Sequence, residues 1–137
     1  MNILLTGITG LVGASVVTAL LRKNPDFKIV AICRGNSAQT AQQRTELTMR
    51  AQCEFDGDPA SYDSIMSRIT VISGDVTKLP FEEIAKYAPY DVMFHCACDD
   101  YQRFFQYSLA DNASLGVFDK RADIIHLLGV GIFGAGI

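Results

Sequence analysis

The chain has 137 residues, of which 49% are hydrophobic and 20% charged, a composition typical of one globular domain. A net charge of -3 and a pI near 5.2 offer no basic surface, so we expect no nucleic-acid partner. No stretch reaches the ~20 apolar residues that span a bilayer, and the apolar N-terminus lacks the basic residues of a secretion signal. We therefore expect a cytoplasmic protein without a membrane partner.

The first predicted elements are a strand, a turn and a helix over residues 1–22 (MNILLTGITGLVGASVVTALLR). Three glycines at intervals of three separate the strand from the helix; such glycines let the chain reverse, let the backbone approach a ligand and let the helix pack closely. The helix directs free N–H groups and the positive end of its dipole at the turn, and both favour the binding of a pyrophosphate there. The pattern T-G-x-T-G-x-x-G thus predicts dinucleotide binding by Thr6, Gly7, Thr9, Gly10, Leu11, Val12 and Gly13. The alternative is a glycine-rich turn without a ligand.

Three motifs carry a resemblance to a known family: TGITGLVG at residues 6–13, GDVT at residues 74–77 and HCAC at residues 95–98. With these motifs, the chain resembles the N-terminal half of an extended short-chain dehydrogenase/reductase. That superfamily contains nucleotide-sugar epimerases and the fatty-acyl and thioester reductases. The resemblance covers roughly residues 1–116. It implies an α/β fold, a Rossmann-like doubly wound parallel sheet that is truncated here to about four strands in the order 3-2-1-4.

The second predicted strand, residues 28–33 (KIVAIC), ends at Arg34. NAD-binding Rossmann domains hold the ribose 2′-hydroxyl with an acidic residue about 20 residues beyond the glycines, but no Asp or Glu lies between Phe27 and Thr45. A guanidinium can donate two hydrogen bonds to a 2′-phosphate, so the position of Arg34 favours binding of NADP (NADPH) rather than NAD. Arg44 is a candidate for a second phosphate contact. The alternative is that Arg34 is a solvated residue at a strand end.

A polar helix is predicted over residues 37–53 with Ser37 as its N-cap, and a surface loop over residues 54–64. The third strand, residues 68–73 (RITVIS), leads into Asp75 and Val76. The resemblance implies that both contact the adenine ring, the carboxylate through the exocyclic amine and Val76 through its backbone.

A short helix is predicted over residues 80–87, and the fourth strand over residues 90–96 (YDVMFHC). The resemblance implies that Cys96, Ala97 and Cys98 pass over the ribose and phosphates, where small residues allow the backbone to touch the ligand. We interpret His95, at the end of a buried strand, as structural rather than as a general base. The four cysteines show neither a disulfide framework nor a second pair at zinc spacing, so we predict reduced thiols and no metal site.

Residues 101–115 are predicted to form the next helix, and Asn112 with Gly116 resembles the N-x-x-x-G element that braces the cofactor side of the site. The charged residues 119–121 interrupt the pattern, so we predict an incomplete NAD(P)-binding Rossmann domain over residues 1–128 and a Gly-rich apolar tail over residues 129–137. Without a fifth strand, the fourth would have an open apolar edge, and we therefore hypothesise a homo-oligomer.

The resemblance also implies a Tyr-x-x-x-Lys pair that polarises the substrate oxygen. None of the five tyrosines is followed by a lysine four residues later, so we assign no catalytic residue. We expect the NADP(H)-binding half of a carbonyl or thioester reductase, not catalytically complete alone. The alternatives are an NADP-sensing regulatory domain and a fragment of an NAD-dependent nucleotide-sugar epimerase or dehydratase.

Overall fold

The computed structural model describes residues 1–75 and 78–96, together with the backbone of residues 118–126. Within these ranges the chain forms one sheet of five strands. Their bounds are Asn2–Thr6 (β1), Lys28–Cys33 (β2), Ile69–Ser73 (β3), Tyr90–His95 (β4) and Phe118–His126 (β5). The first four agree with the predicted strands to within one residue at each end.

The strands lie in the order β3-β2-β1-β4-β5, and every neighbouring pair is parallel. β1 is central, with Thr6 aligned to Ile32 of β2 on one side and to His95 of β4 on the other. The chain therefore reverses its direction of winding between β3 and β4, which is the doubly wound arrangement of a Rossmann-like fold. The predicted order 3-2-1-4 is confirmed.

The fifth strand corrects the prediction that β4 has an open edge. β5 pairs with β4 from Tyr90 to His95, with a register shift between Tyr90 and Val92. The charged residues 119–121 were interpreted as an interruption, yet they lie within this strand. An open edge at β4 therefore gives no reason to expect a homo-oligomer.

Four α-helices lie in the described connections between the strands. Their bounds are Leu11–Lys23 (α1), Ala41–Phe55 (α2), Tyr62–Met66 (α3) and Phe81–Ala85 (α4). No helix in the described ranges combines the length and the apolar character that crossing a bilayer requires.

Two predicted boundaries around α2 were wrong. The helix begins at Ala41 and not at residue 37, because Thr40 rather than Ser37 is its N-cap. The Thr40 hydroxyl accepts a hydrogen bond from the Gln43 N–H at 3.1 Å, and the Gln43 side chain accepts one from the Thr40 N–H at 2.9 Å. This reciprocal capping box satisfies two donors that the first turn of a helix leaves free. Beyond α2, the stretch predicted as a surface loop contains a 3₁₀ turn, Pro59–Ser61, and the start of α3.

The core has two layers, one on each face of the sheet, as a parallel sheet requires. Successive strand residues alternate between the faces, so neighbouring positions enter different layers. One layer joins the sheet to α1, α2 and α3, and includes Ile3, Leu5, Ile29, Val17 and Met49. The opposite layer joins the sheet to α4, and includes Leu4, Val30, Ile32, Met93 and Ile84. Because helices cover both faces of the sheet, a ligand can be reached by the loops at the carboxyl ends of the strands rather than by the faces themselves.

Candidate functional site

The predicted site residues within the described ranges lie on the side of the sheet where the parallel strands end. β1 ends at Thr6, β2 at Cys33, β3 at Ser73 and β4 at His95, and the register aligns these ends with one another. In open parallel sheets a ligand binds beyond the carboxyl ends of the strands, at the point where the strand order reverses. Here that point lies between β1 and β4.

The glycine turn after β1 is tightly constructed. Gly7 has φ +78°, in the left-handed region that favours glycine, and the Gly10 N–H donates to the Gly7 carbonyl oxygen at 3.1 Å. A Cβ on Gly13 would lie 2.1 Å from that same oxygen and 2.8 Å from the Gly7 carbonyl carbon. The first glycine therefore makes the turn, and the third allows α1 to pack against it. Both roles were predicted from the spacing.

The N-terminus of α1 carries neither a side-chain cap nor an acidic residue in its first turn. Gly10 is the N-cap, and its carbonyl oxygen accepts from Ala14 at 3.1 Å, the first hydrogen bond of the helix. The N–H groups of Leu11, Val12 and Gly13 precede that bond, so the helix itself gives them no acceptor. With the positive end of the helix dipole behind them, amides in this arrangement are suited to binding an anion. Thr9, in the turn, is half-buried.

The Thr6 side chain lies in the interior, between the ends of β1 and β4. Its side chain is fully buried, and Thr6 Oγ1 lies 2.5 Å from His95 Nδ1 on the adjacent strand. The donor of this hydrogen bond depends on the tautomer of the ring. The Thr6 hydroxyl is thus hydrogen-bonded inside the protein, and a contact between its side chain and a cofactor remains a prediction.

Arg34 and Asp75 meet across the ends of β2 and β3. Arg34 Nη1 lies 3.4 Å from Asp75 Oδ2, and the two side chains are 72% and 38% exposed. Arg44, on α2, donates from Nη1 to the Arg34 carbonyl oxygen. The structure thus brings together all three residues that were predicted separately at this corner, and it leaves the Arg34 guanidinium largely in solvent.

Sequence reasoning missed the loop that joins Arg34 to α2. Asn36 Oδ1 accepts from the N–H groups of Ala38 and Gln39 at 2.9 and 2.8 Å, which makes a closed turn. With Thr40, Gln43 and the β3 residues Val71 and Ser73, this loop lines an open cavity of about 560 Å³. The pattern Thr40-x-x-Gln43 could have identified the capping box, since it is the usual signature of one.

Cys96 follows β4, and its backbone N–H donates to the Thr6 carbonyl oxygen at 3.0 Å. Its side chain belongs to the core layer under α1, and burial raises the pKa of the thiol to about 11. The Cys96 side chain is therefore a neutral core group at physiological pH. Of the other predicted site residues, Val76, Ala97, Cys98 and Asn112 lie outside the described residues. Among the described residues, no three His, Cys, Asp or Glu side chains gather as metal ligands.

Comparisons with known proteins agree with the resemblance that the sequence motifs indicate. Residues 5–103 match an NAD-binding family described as male sterility protein. Fatty acyl-CoA reductase 2 of Bos taurus is 30% identical over 114 residues, which are 74% of this chain and 22% of that protein. Fatty acyl-CoA reductase 1 of Homo sapiens is 32% identical over 130 residues, 90% of this chain and 24% of that protein.

Among solved structures, the fold resembles a thiolation-reductase di-domain from an archaeal non-ribosomal peptide synthetase. The TM-score is 0.68 and the identity 25%, over 91% of this chain and 27% of that one. The chain thus spans about a quarter of the length of each of these three proteins.

Proposed function

The chain belongs to the NAD-binding family described as male sterility protein, and on that basis we propose that it binds NADP(H) as the cofactor half of a carbonyl or thioester reductase. The proposal has two parts, a seat for the cofactor diphosphate and a discriminating group for the adenosine ribose. Each part depends on different residues and can be tested separately.

The observation that carries the proposal is the uncapped helix N-terminus above the glycine turn. Three consecutive amides, those of residues 11–13, point away from the start of α1 without an acceptor from the helix. The 2.1 Å that would separate a Gly13 Cβ from the Gly7 oxygen supports the same conclusion, because turn and helix are packed as closely as a backbone permits. A diphosphate on these amides needs no side chain from the turn.

The preference for NADP over NAD rests on the charge at the end of β2. Arg34 presents an exposed guanidinium there, beside the cavity lined by the loop over residues 35–43. A guanidinium forms paired, charge-assisted hydrogen bonds with a phosphate, whereas a 2′-hydroxyl gains little from it. Arg44, held against the Arg34 carbonyl, adds a second positive charge at this corner. Asp75 would then lie on the adenine side, as the resemblance implies.

The residues present fit the cofactor at the two phosphate positions. When bound, the nicotinamide supplies the hydride for reduction of a carbonyl. The part played by this chain is to bind and orient: the α1 amides hold the diphosphate, and Arg34 with Arg44 fixes the adenosine end. The names of the relatives, fatty acyl-CoA reductase and a thiolation-reductase di-domain, support a thioester as the substrate class of the whole protein.

A second candidate function is an NADP-sensing regulatory domain. No tyrosine in the sequence is followed by lysine four residues later, so the usual proton-donating pair is not provided by these 137 residues. We therefore propose that the chain alone binds the cofactor without turnover, under either function. A partner protein whose affinity for the chain changes with NADPH would favour the sensor.

Isothermal titration of the chain with NADPH and with NADH tests the main proposal. We expect saturable heat with NADPH and weaker binding of NADH. Absence of heat with both nucleotides rejects the cofactor role, and stronger binding of NADH rejects the role of Arg34 while leaving the glycine turn in place.

A further inference from the structure

Two buried polar side chains lie at the carboxyl ends of β1 and β4, next to the start of the glycine turn. Thr6 is the last residue of β1 and His95 the last residue of β4, and the register of the two strands places them side by side. Both are fully buried, and Thr6 Oγ1 is 2.5 Å from His95 Nδ1. This hydrogen bond joins the two strands at the point where the strand order reverses.

The same point is joined a second time by the backbone. The Cys96 N–H donates to the Thr6 carbonyl oxygen at 3.0 Å, so the residues that follow β4 are attached to the end of β1. Thr6 thus makes a side-chain hydrogen bond to His95, the last residue of β4, and a main-chain hydrogen bond to Cys96, the residue that follows it. The next residue in the chain is Gly7, where the turn begins.

Stability of the core alone does not explain a polar pair at this position. A valine has nearly the shape of a threonine, and an apolar pair buried together is often as stable as a hydrogen-bonded one. What the hydrogen bond adds is direction: it fixes one rotamer of Thr6 and one orientation of the His95 ring. A directional bond beside Gly7 restricts the backbone at the start of the turn.

We propose that Thr6 and His95 are positioning residues that hold the glycine turn in the geometry that receives the cofactor diphosphate. The inference rests on the proposed function for its consequence in binding, but not for its consequence in the free chain. Without the bond, the amides of residues 11–13 remain present, and the turn in front of them samples more conformations.

The test compares three variants of the full chain. Thr6→Val removes the hydroxyl and retains the shape, Thr6→Ser retains the hydroxyl, and His95→Asn replaces the ring by a shorter polar group. The probes are NADPH, which contains the diphosphate, and 2′-AMP, which contains the adenosine 2′-phosphate without a diphosphate. We expect Thr6→Val to weaken NADPH binding about tenfold, in the range of one lost hydrogen bond, while Thr6→Ser stays near wild type.

The difference between the two probes separates positioning from general destabilisation. A loosened turn reduces the affinity for NADPH and leaves 2′-AMP unchanged, because 2′-AMP depends on Arg34 rather than on the turn. Equal losses for both probes in Thr6→Val, or a Thr6→Ser variant as weak as Thr6→Val, overturn the proposal.

Hydrogen exchange of the ligand-free chain provides the second measurement. We expect faster exchange at the amides of residues 7–10 in Thr6→Val and in His95→Asn, with β2 and α2 exchanging as in wild type. Unchanged exchange at residues 7–10 overturns the inference. If wild type binds neither nucleotide, the proposed function fails, and the exchange result still decides whether the bond holds the turn.

Discussion

Arg34 Nη1 lies 3.4 Å from Asp75 Oδ2, so the residue proposed to select the 2′-phosphate is paired with a carboxylate. Both groups are partly exposed, and an ion pair of this kind contributes only about 0–1 kcal/mol. A phosphate with two negative charges can therefore compete successfully for the guanidinium. The pair also reduces the net positive charge at the ends of β2 and β3.

Replacement of Arg34 by alanine tests the discriminating group. We expect NADPH binding to weaken by about 1.5 to 3 kcal/mol, the range for a hydrogen bond to a charged group, with little change for NADH. Lys28→Ala is the matched control, because Lys28 is exposed at the opposite end of the same strand. Titrations that show equal losses for both nucleotides would remove the assignment of Arg34.

Replacement of Asp75 by asparagine tests the competition for Arg34. Asparagine retains an oxygen that can accept from the adenine amine but carries no charge. We expect the ratio of NADPH to NADH affinity to rise by up to about fivefold at low salt, the scale of an exposed ion pair. The increase should shrink as ionic strength rises, since salt screens exposed charges. A ratio that falls would contradict the pairing as a competitor of the phosphate.

Gly13→Ala tests the close packing of α1 on the turn. Its Cβ would lie 2.1 Å from the Gly7 oxygen, so the backbone must move. We expect a loss of at least about 2 kcal/mol in the free energy of unfolding, together with loss of NADPH binding.

Gly57→Ala is the control for that variant, because Gly57 has φ +72° but no neighbour within 4 Å of an added Cβ. This change should cost about 1 kcal/mol of stability from backbone strain alone and leave binding intact. Urea unfolding and calorimetry measure the two effects. If Gly13→Ala behaves like Gly57→Ala, the proposed role of the third glycine is wrong.

Asp56 makes stability depend on pH at a surface far from the site. Its Oδ2 lies 2.6 Å from Arg22 Nη1, and the hydrogen bond with Arg22 lowers the pKa of the carboxyl. A pKa that is lower in the folded than in the unfolded chain stabilises the fold above the unfolded value, about 3.9, and that stabilisation is lost as pH falls through the folded value.

We therefore expect Asp56→Asn to be less stable than wild type at pH 7, by at most about 1 kcal/mol, and the difference to disappear in acid. Chemical unfolding from pH 7 down to pH values below about 3 follows this difference directly. Asp26→Asn, at an exposed turn residue, is the matched control. A difference that stays constant over this pH range would show that the ion pair with Arg22 contributes nothing.

The parts of the site that could be predicted are those encoded by short-range patterns. The strand, the glycine spacing and the helix lie within one stretch of sequence, and their physical roles follow from the lack of a Cβ and from helix geometry. The absence of an acidic residue after β2 is likewise visible without a structure. The first four strands were predicted correctly for the same reason, whereas their order followed from the resemblance to extended short-chain dehydrogenases/reductases.

The relationships that were missed join residues far apart in sequence. Nothing in the local sequence pairs Arg34 with Asp75 or turns the Thr6 hydroxyl toward His95, since both contacts depend on strand register. β5 was missed because it contains charged residues near its start, whereas the sequence pattern used to find strands favours buried, apolar stretches. The Thr40 cap was missed because Ser37 is an equally good cap by residue type.

The central place of β1 has a consequence for how the chain folds as it is synthesised. β1 is made first, yet its partner on one side, β4, is separated from it by almost ninety residues, as the contact between Thr6 and His95 shows. Contacts of such long range close slowly, because the intervening chain must give up its freedom before any of them forms. We therefore expect β1 to keep one edge unpaired until β4 has been synthesised, so the pairing of β1 with β4 is among the last steps in forming the described sheet.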